Sequence, residues 1–232
     1  MPVFLYLAVT NIIMITNLYT LLLLLLILPC TAQQYDFDYV QECHVTLNGE
    51  KEGGTLFRFF NSNDDSYSLR VSLFGENVYM TLYLDDGKYY HDTISKEDFF
   101  VYGISMKCPK SGLSSDFRDK DPDDFTYHKL PDTLINTTSY SHVRLFPSNI
   151  KKYNNGKLPA ADYILDNSLN LNITVTDPYS MLILYRRQGI EVPLGIIKEY
   201  YTQNKEGKII DSIISIQCVP TQKIIFLDTS CK

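Results

Sequence analysis

Alternation of apolar and polar residues with a period of two constrains the fold of this 232-residue chain more than any other feature. In 67–73, a tyrosine, two leucines and a valine alternate with serines and an arginine, and 78–84 repeats the pattern with tyrosines and a threonine as partners. This period is typical of strands with one buried face and one wet face. Asp85-Asp86-Gly87 follows as a turn, so the two segments predict neighbouring strands.

The remaining chain supplies further strand signals and few helical ones. Asn48-Gly49 predicts a hairpin between two of the strands. Further strands are predicted at 39–47, 55–60, 101–108, 169–176, 181–185, 208–219 and 223–227. Ser95 and Asp98 predict a capped turn of helix ending at Phe100, and paired aliphatic and aromatic residues after Pro193 predict a second helix extending to Asn204. Residues 108–136 are polar and acidic, which indicates a long loop. Together these elements predict an all-β fold, an antiparallel sandwich or barrel.

The first 32 residues carry no charge, and Leu21–Leu28 is an unbroken Leu/Ile run. Small residues then precede a cleavage site after Ala32, which is typical of a secretory signal peptide. A start at Met14 rather than Met1 would give a leader of more usual length. An uncleaved membrane anchor is the alternative, because an uncharged segment of this length can span a bilayer. We predict cleavage, secretion, and one domain comprising residues 33–232.

Cysteines and sequons agree with export. Four cysteines remain after the leader: Cys43, Cys108, Cys218 and Cys231. An even number in an exported chain predicts two disulfides, with three ways of pairing them. The absence of C-x-x-C spacing gives no support for a zinc or thiol-redox site. Two N-x-[ST] sequons predict glycosylation at Asn136 and Asn172.

Charge is distributed unevenly along the chain. The net charge of −6 argues against a general nucleic-acid binder. Residues 33–132 hold 19 acids and 10 bases, whereas residues 133–232 hold 8 acids and 11 bases. A one-sided acidic surface would steer a basic protein partner toward it, although each cluster also reads as solvated loop charge. The candidate ligand-binding residues are Asp64, Asp65, Tyr79, Tyr83, Asp85, Asp86, Asp119, Asp121, Asp123 and Asp124.

Motifs for catalysis or metal binding find little support. The run Asp119-x-Asp121-x-Asp123 resembles the start of a calcium loop, but Asp124 replaces its glycine and Leu130 its bidentate glutamate. The four histidines lie far apart, and no nucleophile elbow or phosphate-binding loop occurs. We expect no enzyme activity and no metal or cofactor. A triad assembled from distant residues would be the exception, in a deep pocket with titratable groups.

Two blocks of sequence resemble a known family. The first block includes Val78–Leu82, Thr93–Asp98 and Tyr102–Cys108, and the second runs from Val192 to Thr202 and on to Cys218. Both are similar to the secreted viral CC-chemokine inhibitors and related poxvirus immune-evasion proteins.

This resemblance implies a two-sheet antiparallel β-sandwich with short helices and long loops, which captures a host chemokine or related cytokine on an acidic, tyrosine-bearing sheet face. It leaves a second possibility, in which the protein binds a host costimulatory receptor or class I histocompatibility molecule and stays tethered by its leader. The chain departs from the family in having fewer cysteines, a short acidic loop at Asn61–Ser66, and an extension past Cys218. The host ligand, the disulfide pairing and the oligomeric state stay open.

Overall fold

The computed structural model describes residues 33–49, 53–107, 113–114, 122–175 and 180–228. Thirteen strands lie in these ranges: β1 (Gln33–Thr46), β2 (Gly54–Asn61), β3 (Asp64–Phe74), β4 (Asn77–Leu84), β5 (Lys88–Ser95), β6 (Gly103–Met106), β7 (Leu113–Ser114), β8 (Phe125–Ile135), β9 (Thr138–Pro147), β10 (Ala160–Asp166), β11 (Thr174–Val175), β12 (Gly195–Gln203) and β13 (Ile209–Leu227). The helices are α1 (Lys96–Phe99), α2 (Ile150–Asn154) and α3 (Met181–Arg187), and Pro122–Asp124 forms a 3₁₀ turn.

Several predicted features lie outside the described residues: the leader 1–32, Cys108, Cys231, Asp119 and Asp121. Among the residues that are described, none of the helices has the length and apolar character that crossing a bilayer requires.

Hydrogen bonds join the strands into one continuous sheet. The order across it is β7-β5-β4-β3-β2-β1-β13-β12-β10-β9-β8, with β11 beside β12 and β6 beside β13. The two strands off the main path pair in parallel with their neighbours, and the pairs along the path are antiparallel. The long strands β1 and β13 pair with each other at the centre. The predicted all-β, mainly antiparallel fold with short helices is confirmed.

The predicted alternation in 78–84 is confirmed by burial. Val78, Met80 and Leu82 are buried, while Tyr79 between them is 46% exposed. These side chains join a core formed by one face of β2, β3, β4, β6 and the C-terminal half of β13, closed by Phe99 of α1. The predicted cap of this helix is also confirmed, because the Ser95 hydroxyl accepts a hydrogen bond from the backbone N–H of Asp98.

A second core lies between β9, β10 and α3. Met181, Leu182 and Tyr185 of the helix pack against Val143 and Leu165 of the two strands. The prediction of a strand at 181–185 is therefore wrong. A five-residue apolar run does not distinguish a strand from a buried helix by period alone.

The flanking residues did carry helical signals. Ser180 is the N-cap and accepts a hydrogen bond from the N–H of Ile183, and Gly189 follows the last turn with a φ of +84°. A polar N-cap residue and a glycine just after the last turn are the signals expected at the two ends of a helix.

The helix predicted after Pro193 is also wrong, because this segment forms β12. A β-bulge shifts the register where Ile164 pairs with Glu199 and Leu165 pairs with Ile197, which leaves Lys198 as the extra residue. An inserted residue breaks strict alternation, so the apolar residues of this strand fall at spacings that mimic a helix. Their β-branched and aromatic types were the better guide.

The loop predicted at 108–136 contains a strand, β8, over Phe125–Ile135. It is an edge strand with no fully buried residue, so its hydrophobic pattern is weak. Pro131 lies in an irregular stretch between the paired positions Leu130 and Thr133, as expected of proline in a sheet.

Two further strand boundaries also differ from the prediction. The predicted strand at 169–176 is reduced to Thr174–Val175 among the described residues, and the predictions at 208–219 and 223–227 form the single strand β13.

Candidate ligand-binding groove

An apolar groove opens on the face of the sheet that carries the first core. Its volume is about 310 Å³, at the lower end of the range for small-molecule sites. It lies between the strands β1, β2 and β3 on one side and the segment that follows α1 on the other. The lining residues are Val40, Phe57, Phe59, Val71, Leu73, Phe99, Phe100, Val101, Tyr102, Thr221, Gln222 and Lys223.

The floor of the groove is buried and its mouth is exposed. Phe59, Val71 and Phe99 are at most 8% exposed, and Phe59 and Phe99 contact each other edge to face with ring centroids 5.8 Å apart. At the mouth, Phe100 is 79% exposed and Tyr102 is 59% exposed. A chain entering the groove would thus meet aromatic side chains before it reaches a packed apolar floor.

Lys223 is the charged residue of the lining, and it is almost completely buried. Its Nζ donates hydrogen bonds to the carbonyl oxygen of Phe99 and, at 2.6 Å, to that of Val101. The same atom lies 4.2 Å from the centroid of the Phe99 ring, in a cation–π contact. Burial lowers the pKa of Lys223 to about 8, because removal from water disfavours the charged form.

The backbone around Lys223 explains how the lysine is held in the groove. β6 pairs in parallel with the end of β13, and the N–H of Ile224 donates to the carbonyl of Tyr102 at 3.1 Å. These bonds fix the segment 99–102 beside Lys223. Gly103 starts β6, where a Cβ would lie 3.1 Å from the Phe226 ring.

A register shift between β1 and β13 shapes the same region. Phe37 pairs with Lys223 and Tyr39 pairs with Pro220, so two residues of β13 lie opposite one of β1. The two residues, Thr221 and Gln222, are part of the groove lining. Irregularities of this kind redirect side chains and often occur beside binding sites.

The arrangement suits a ligand with an apolar chain and an anionic head. Aliphatic and aromatic walls favour a hydrocarbon chain, and a buried ammonium favours a negative charge that would restore its lost solvation.

Sequence reasoning did not predict this groove, whose lining comes from residues 40 to 223. One signal was present, because period two places Lys223 on the same face as Ile225 and Leu227, both fully buried.

The acidic residues predicted to bind a ligand are largely engaged with bases of this chain. Asp65 pairs with Arg186 at 2.7 Å and Asp85 lies 3.7 Å from Arg187, so α3 carries the partners of both. Other predicted acids have local contacts: Asp86 pairs with Lys88 at 3.0 Å, Asp124 pairs with Lys152 at 2.8 Å, and Asp64 accepts a hydrogen bond from the N–H of Ser66. Asp123 lies in the 3₁₀ turn next to Asp124. Internal pairing thus reduces the charge asymmetry inferred from the two halves.

The two predicted tyrosines lie on the outer face of β4, opposite the face that forms the core. Tyr79 contacts Phe74 edge to face at 6.4 Å, and the Tyr83 ring lies 5.2 Å from the guanidinium of Arg70. They do not line the apolar groove. The structure therefore separates them from Lys223 and its surroundings.

Cys43 and Cys218 lie on the neighbouring strands β1 and β13. Cys218 pairs with Gln41 and Cys43 pairs with Ser215, so the two cysteines are diagonal rather than directly opposite. Burial, followed by the nearby Cys43, raises the pKa of the Cys218 thiol to about 11, which makes it a poor nucleophile at neutral pH. The pairing of the four cysteines stays a prediction.

The two predicted glycosylation sites are both exposed. Asn136 lies in the tight turn between β8 and β9, and Asn172 lies just before β11. Their accessibility is compatible with attachment of a glycan.

A polar cluster on β8, β9 and β10 is a second feature with chemical potential. The Thr133 hydroxyl lies 3.0 Å from Nδ1 of His142, and Nε2 of His142 lies 2.7 Å from Oδ1 of Asp162. Nε of Arg144 donates to that same oxygen at 2.9 Å, and this bond is the main reason why the pKa of Arg144 is raised. Asp162 is completely buried, and its Oδ2 has no hydrogen-bond partner among the described residues.

Metal binding has no structural support in the described ranges, where no group of three or more His, Cys, Asp or Glu side chains is placed to hold an ion.

No family model matches the chain, and no curated protein matches it. Solved structures that resemble it in fold include MucB in the MucA/MucB complex of Pseudomonas aeruginosa, with 10% identity, a TM-score of 0.44, and coverage of 83% of this chain and 53% of the other. The chain thus spans about half the length of the MucB chains it matches.

Two further similar structures are more distant. A LolA superfamily protein from Nitrosomonas europaea shows 7% identity and a TM-score of 0.27 over 82% of this chain and 87% of the other. A DUF1329 family protein from Desulfovibrio piger shows 10% identity and a TM-score of 0.29 over 82% and 86%.

These findings correct the family assignment. The similar structures named above are bacterial proteins rather than poxvirus chemokine-binding proteins, and no family model or curated relative supports the viral resemblance. The predictions of a viral immune-evasion protein, of a host chemokine or cytokine as its partner, and of an acidic chemokine-binding face are therefore wrong.

Proposed function

We propose that this chain is an exported, non-catalytic binding protein for an anionic amphiphile with a single hydrocarbon chain. The apolar groove would hold the hydrocarbon and Lys223 would bind the carboxylate or a similar head group. The observation that carries the proposal is a lysine almost completely buried in the lining of a mainly apolar groove. The uncharged leader and the exposed sequons support export.

Lys223 is well placed for such a head group. An ammonium has three donors, and two of them are directed at the carbonyls of Phe99 and Val101. The third donor is left for an oxygen of the ligand. With a pKa of about 8 the lysine is mostly charged at neutral pH, and a bound carboxylate would stabilise that charge further.

The volume of the groove limits the length of the hydrocarbon. A water-sized group occupies about 30 Å³ in a liquid, so about 310 Å³ holds roughly ten such groups. A saturated carboxylate of about ten carbons, such as decanoate, therefore fits best. Each methylene buried should add about 0.8 kcal/mol to the affinity, or roughly a fourfold change.

Calorimetric titration of the mature protein with hexanoate through tetradecanoate, and with decanol, tests the proposal. Affinity should rise with chain length up to about decanoate and then level off, and decanol should bind more weakly. Lys223→Met should reduce the affinity for decanoate to that for decanol. Lys157→Met, which removes an exposed lysine elsewhere, should bind decanoate like the wild type. Binding independent of chain length, or unchanged by Lys223→Met, would refute the proposal.

The polar cluster of Thr133, His142 and Asp162 suggests a hydrolase as the second candidate. A hydroxyl, an imidazole and a carboxylate in contact have the components of a nucleophilic triad. However, Arg144 shares the oxygen of Asp162 that faces the histidine, and the cluster contributes no residue to the apolar groove. We therefore propose a structural role for it. Turnover of p-nitrophenyl decanoate that is lost in Thr133→Val would favour the hydrolase instead.

A further inference from the structure

Lys223 differs from the other lysines that the structure describes, because it is the one that is buried. It is 6% exposed and lines the apolar groove, so the groove gives an apolar molecule access to its amine. Within the described ranges no carboxylate pairs with it, and its Nζ contacts two backbone carbonyls and an aromatic ring. A lysine without a counter-ion in apolar surroundings loses its proton more readily than one in water.

The hydrogen bonds of Lys223 use two of the four positions around its nitrogen. One position is the bond to Cε, and two N–H groups are directed at the carbonyls of Phe99 and Val101. The fourth position carries the third proton in the ammonium form and the lone pair in the neutral amine. The neutral amine therefore keeps both hydrogen bonds, and its lone pair is not engaged by either carbonyl.

The neutral form of this amine is common enough to react at neutral pH. Burial lowers the pKa of Lys223 to about 8. At pH 7 about a tenth of such an amine is neutral, against less than about one part in a thousand for a lysine with the ordinary pKa. A lysine desolvated in a hydrophobic pocket is the kind that attacks carbonyl compounds.

We propose that the groove captures a long-chain aliphatic aldehyde as a reversible imine with Lys223. The lone pair of Nζ attacks the aldehyde carbon, and one N–H proton passes to the carbonyl oxygen to give a carbinolamine. The hydroxyl of the carbinolamine then leaves with the second N–H proton as water, so that a C=N bond replaces the C=O bond. Addition of water reverses both steps. This inference rests on the proposed function, because the hydrocarbon chain must occupy the same groove.

The surroundings of Lys223 suit the protonated imine that forms when this product takes up a proton. Its single N–H can remain bonded to the carbonyl of Val101 or of Phe99. Its positive charge is favoured by the Phe99 ring, whose centroid lies 4.2 Å from Nζ. Apolar lining residues such as Phe57 and Val71 exclude water that would hydrolyse the product.

Reductive trapping followed by peptide mapping tests the imine. Decanal and cyanoborohydride are added to the mature protein, the imine is reduced to a stable secondary amine, and mass spectrometry locates the alkyl group. At pH 7 Lys223 should be alkylated at least about tenfold faster than Lys157, which is exposed. Propanal should lose most of this preference, because each methylene buried in the groove adds roughly fourfold to the affinity.

Decanoate and two variants control for the site of the reaction. Excess decanoate should abolish the preferential alkylation of Lys223 and leave the alkylation of Lys157 unchanged. Lys157→Met should be alkylated at Lys223 at the wild-type rate. Lys223→Met should show no preferentially alkylated lysine. The comparison of decanal with propanal uses the wild type alone, so the test does not depend on how well Lys223→Met folds.

The outcomes separate this inference from the proposed function. If decanoate binds with an affinity that depends on chain length, but decanal alkylates Lys223 no faster than Lys157, the imine is wrong and the proposed function stands. Equal preference for Lys223 with propanal and with decanal would also overturn the inference, because the groove would then play no part. If decanoate does not bind and decanal does not react at Lys223, both proposals are wrong.

Discussion

Raising the pH from about 8 to about 10.5 should stabilise the native protein through Lys223. Burial lowers the pKa of this lysine from 10.5 to about 8 in the folded protein. Between these values the unfolded chain binds a proton that the native state lacks, so stability rises with pH in this window. At about 1.4 kcal/mol per pH unit, the window of about 2.5 units between these pKa values contributes at most about 3.5 kcal/mol.

Urea unfolding of the wild type and of Lys223→Met at a series of pH values isolates this contribution. Other groups titrate equally in both proteins, and the hydrogen bonds lost with the lysine shift the curve by a constant amount. The difference in unfolding free energy should therefore move in favour of the wild type between about pH 8 and pH 10.5. Lys157→Met controls for the change in net charge. A difference that stays constant across the window would refute the lowering of the Lys223 pKa by burial in the groove.

Three further substitutions test the fold by urea or thermal unfolding. Gly195→Ala should destabilise the protein by about 2 kcal/mol or more, because φ is +121° and a Cβ would lie 2.2 Å from the carbonyl oxygen of Asp166. An unchanged unfolding midpoint would contradict this backbone conformation at the start of β12. Thr137→Gly should stabilise it by about 0.5 kcal/mol, since a β-branched residue at φ 71° is strained, and the sequon is kept; a lower melting temperature would argue against this turn. Asp162→Ala should cost about 3 kcal/mol, because it leaves His142 without its carboxylate; a loss under about 0.5 kcal/mol would mean that the cluster is solvated.

Local patterns were sufficient for much of the sheet. The alternation in 78–84 gave the correct buried face because β4 has no bulge and lies between two paired strands. The cap at Ser95 was predictable because its hydroxyl accepts a hydrogen bond from the N–H of Asp98, only three residues later.

Local patterns failed where a bulge or a covering element changed the rule. β12 contains an extra residue, Lys198, so its apolar residues do not alternate with a period of two. The apolar run at 181–185 is a helix whose buried side chains pack on β9 and β10. The bulge depends on a neighbouring strand distant in sequence, whereas the helix at 181–185 did have local signals in Ser180 and Gly189, which the five-residue apolar run outweighed.

The candidate site was beyond prediction for the same reason. The charge asymmetry was real in sequence, but Arg186 and Arg187 of α3 neutralise Asp65 and Asp85 in the fold. The groove depends on a register shift in β13 and on the parallel pairing with β6. Only Lys223, on the same face as two buried residues, gave an advance signal that a polar group lies inside.

The central claim is that the groove holds a hydrocarbon chain with its anionic head at Lys223. A crystal structure of the mature protein with decanoate carrying a terminal bromine tests this most directly, because anomalous scattering locates the bromine. The account predicts the carboxylate within hydrogen-bond distance of the Lys223 Nζ and the bromine among the apolar side chains of the groove. Bromine found elsewhere on the protein, with the groove unchanged, would contradict it.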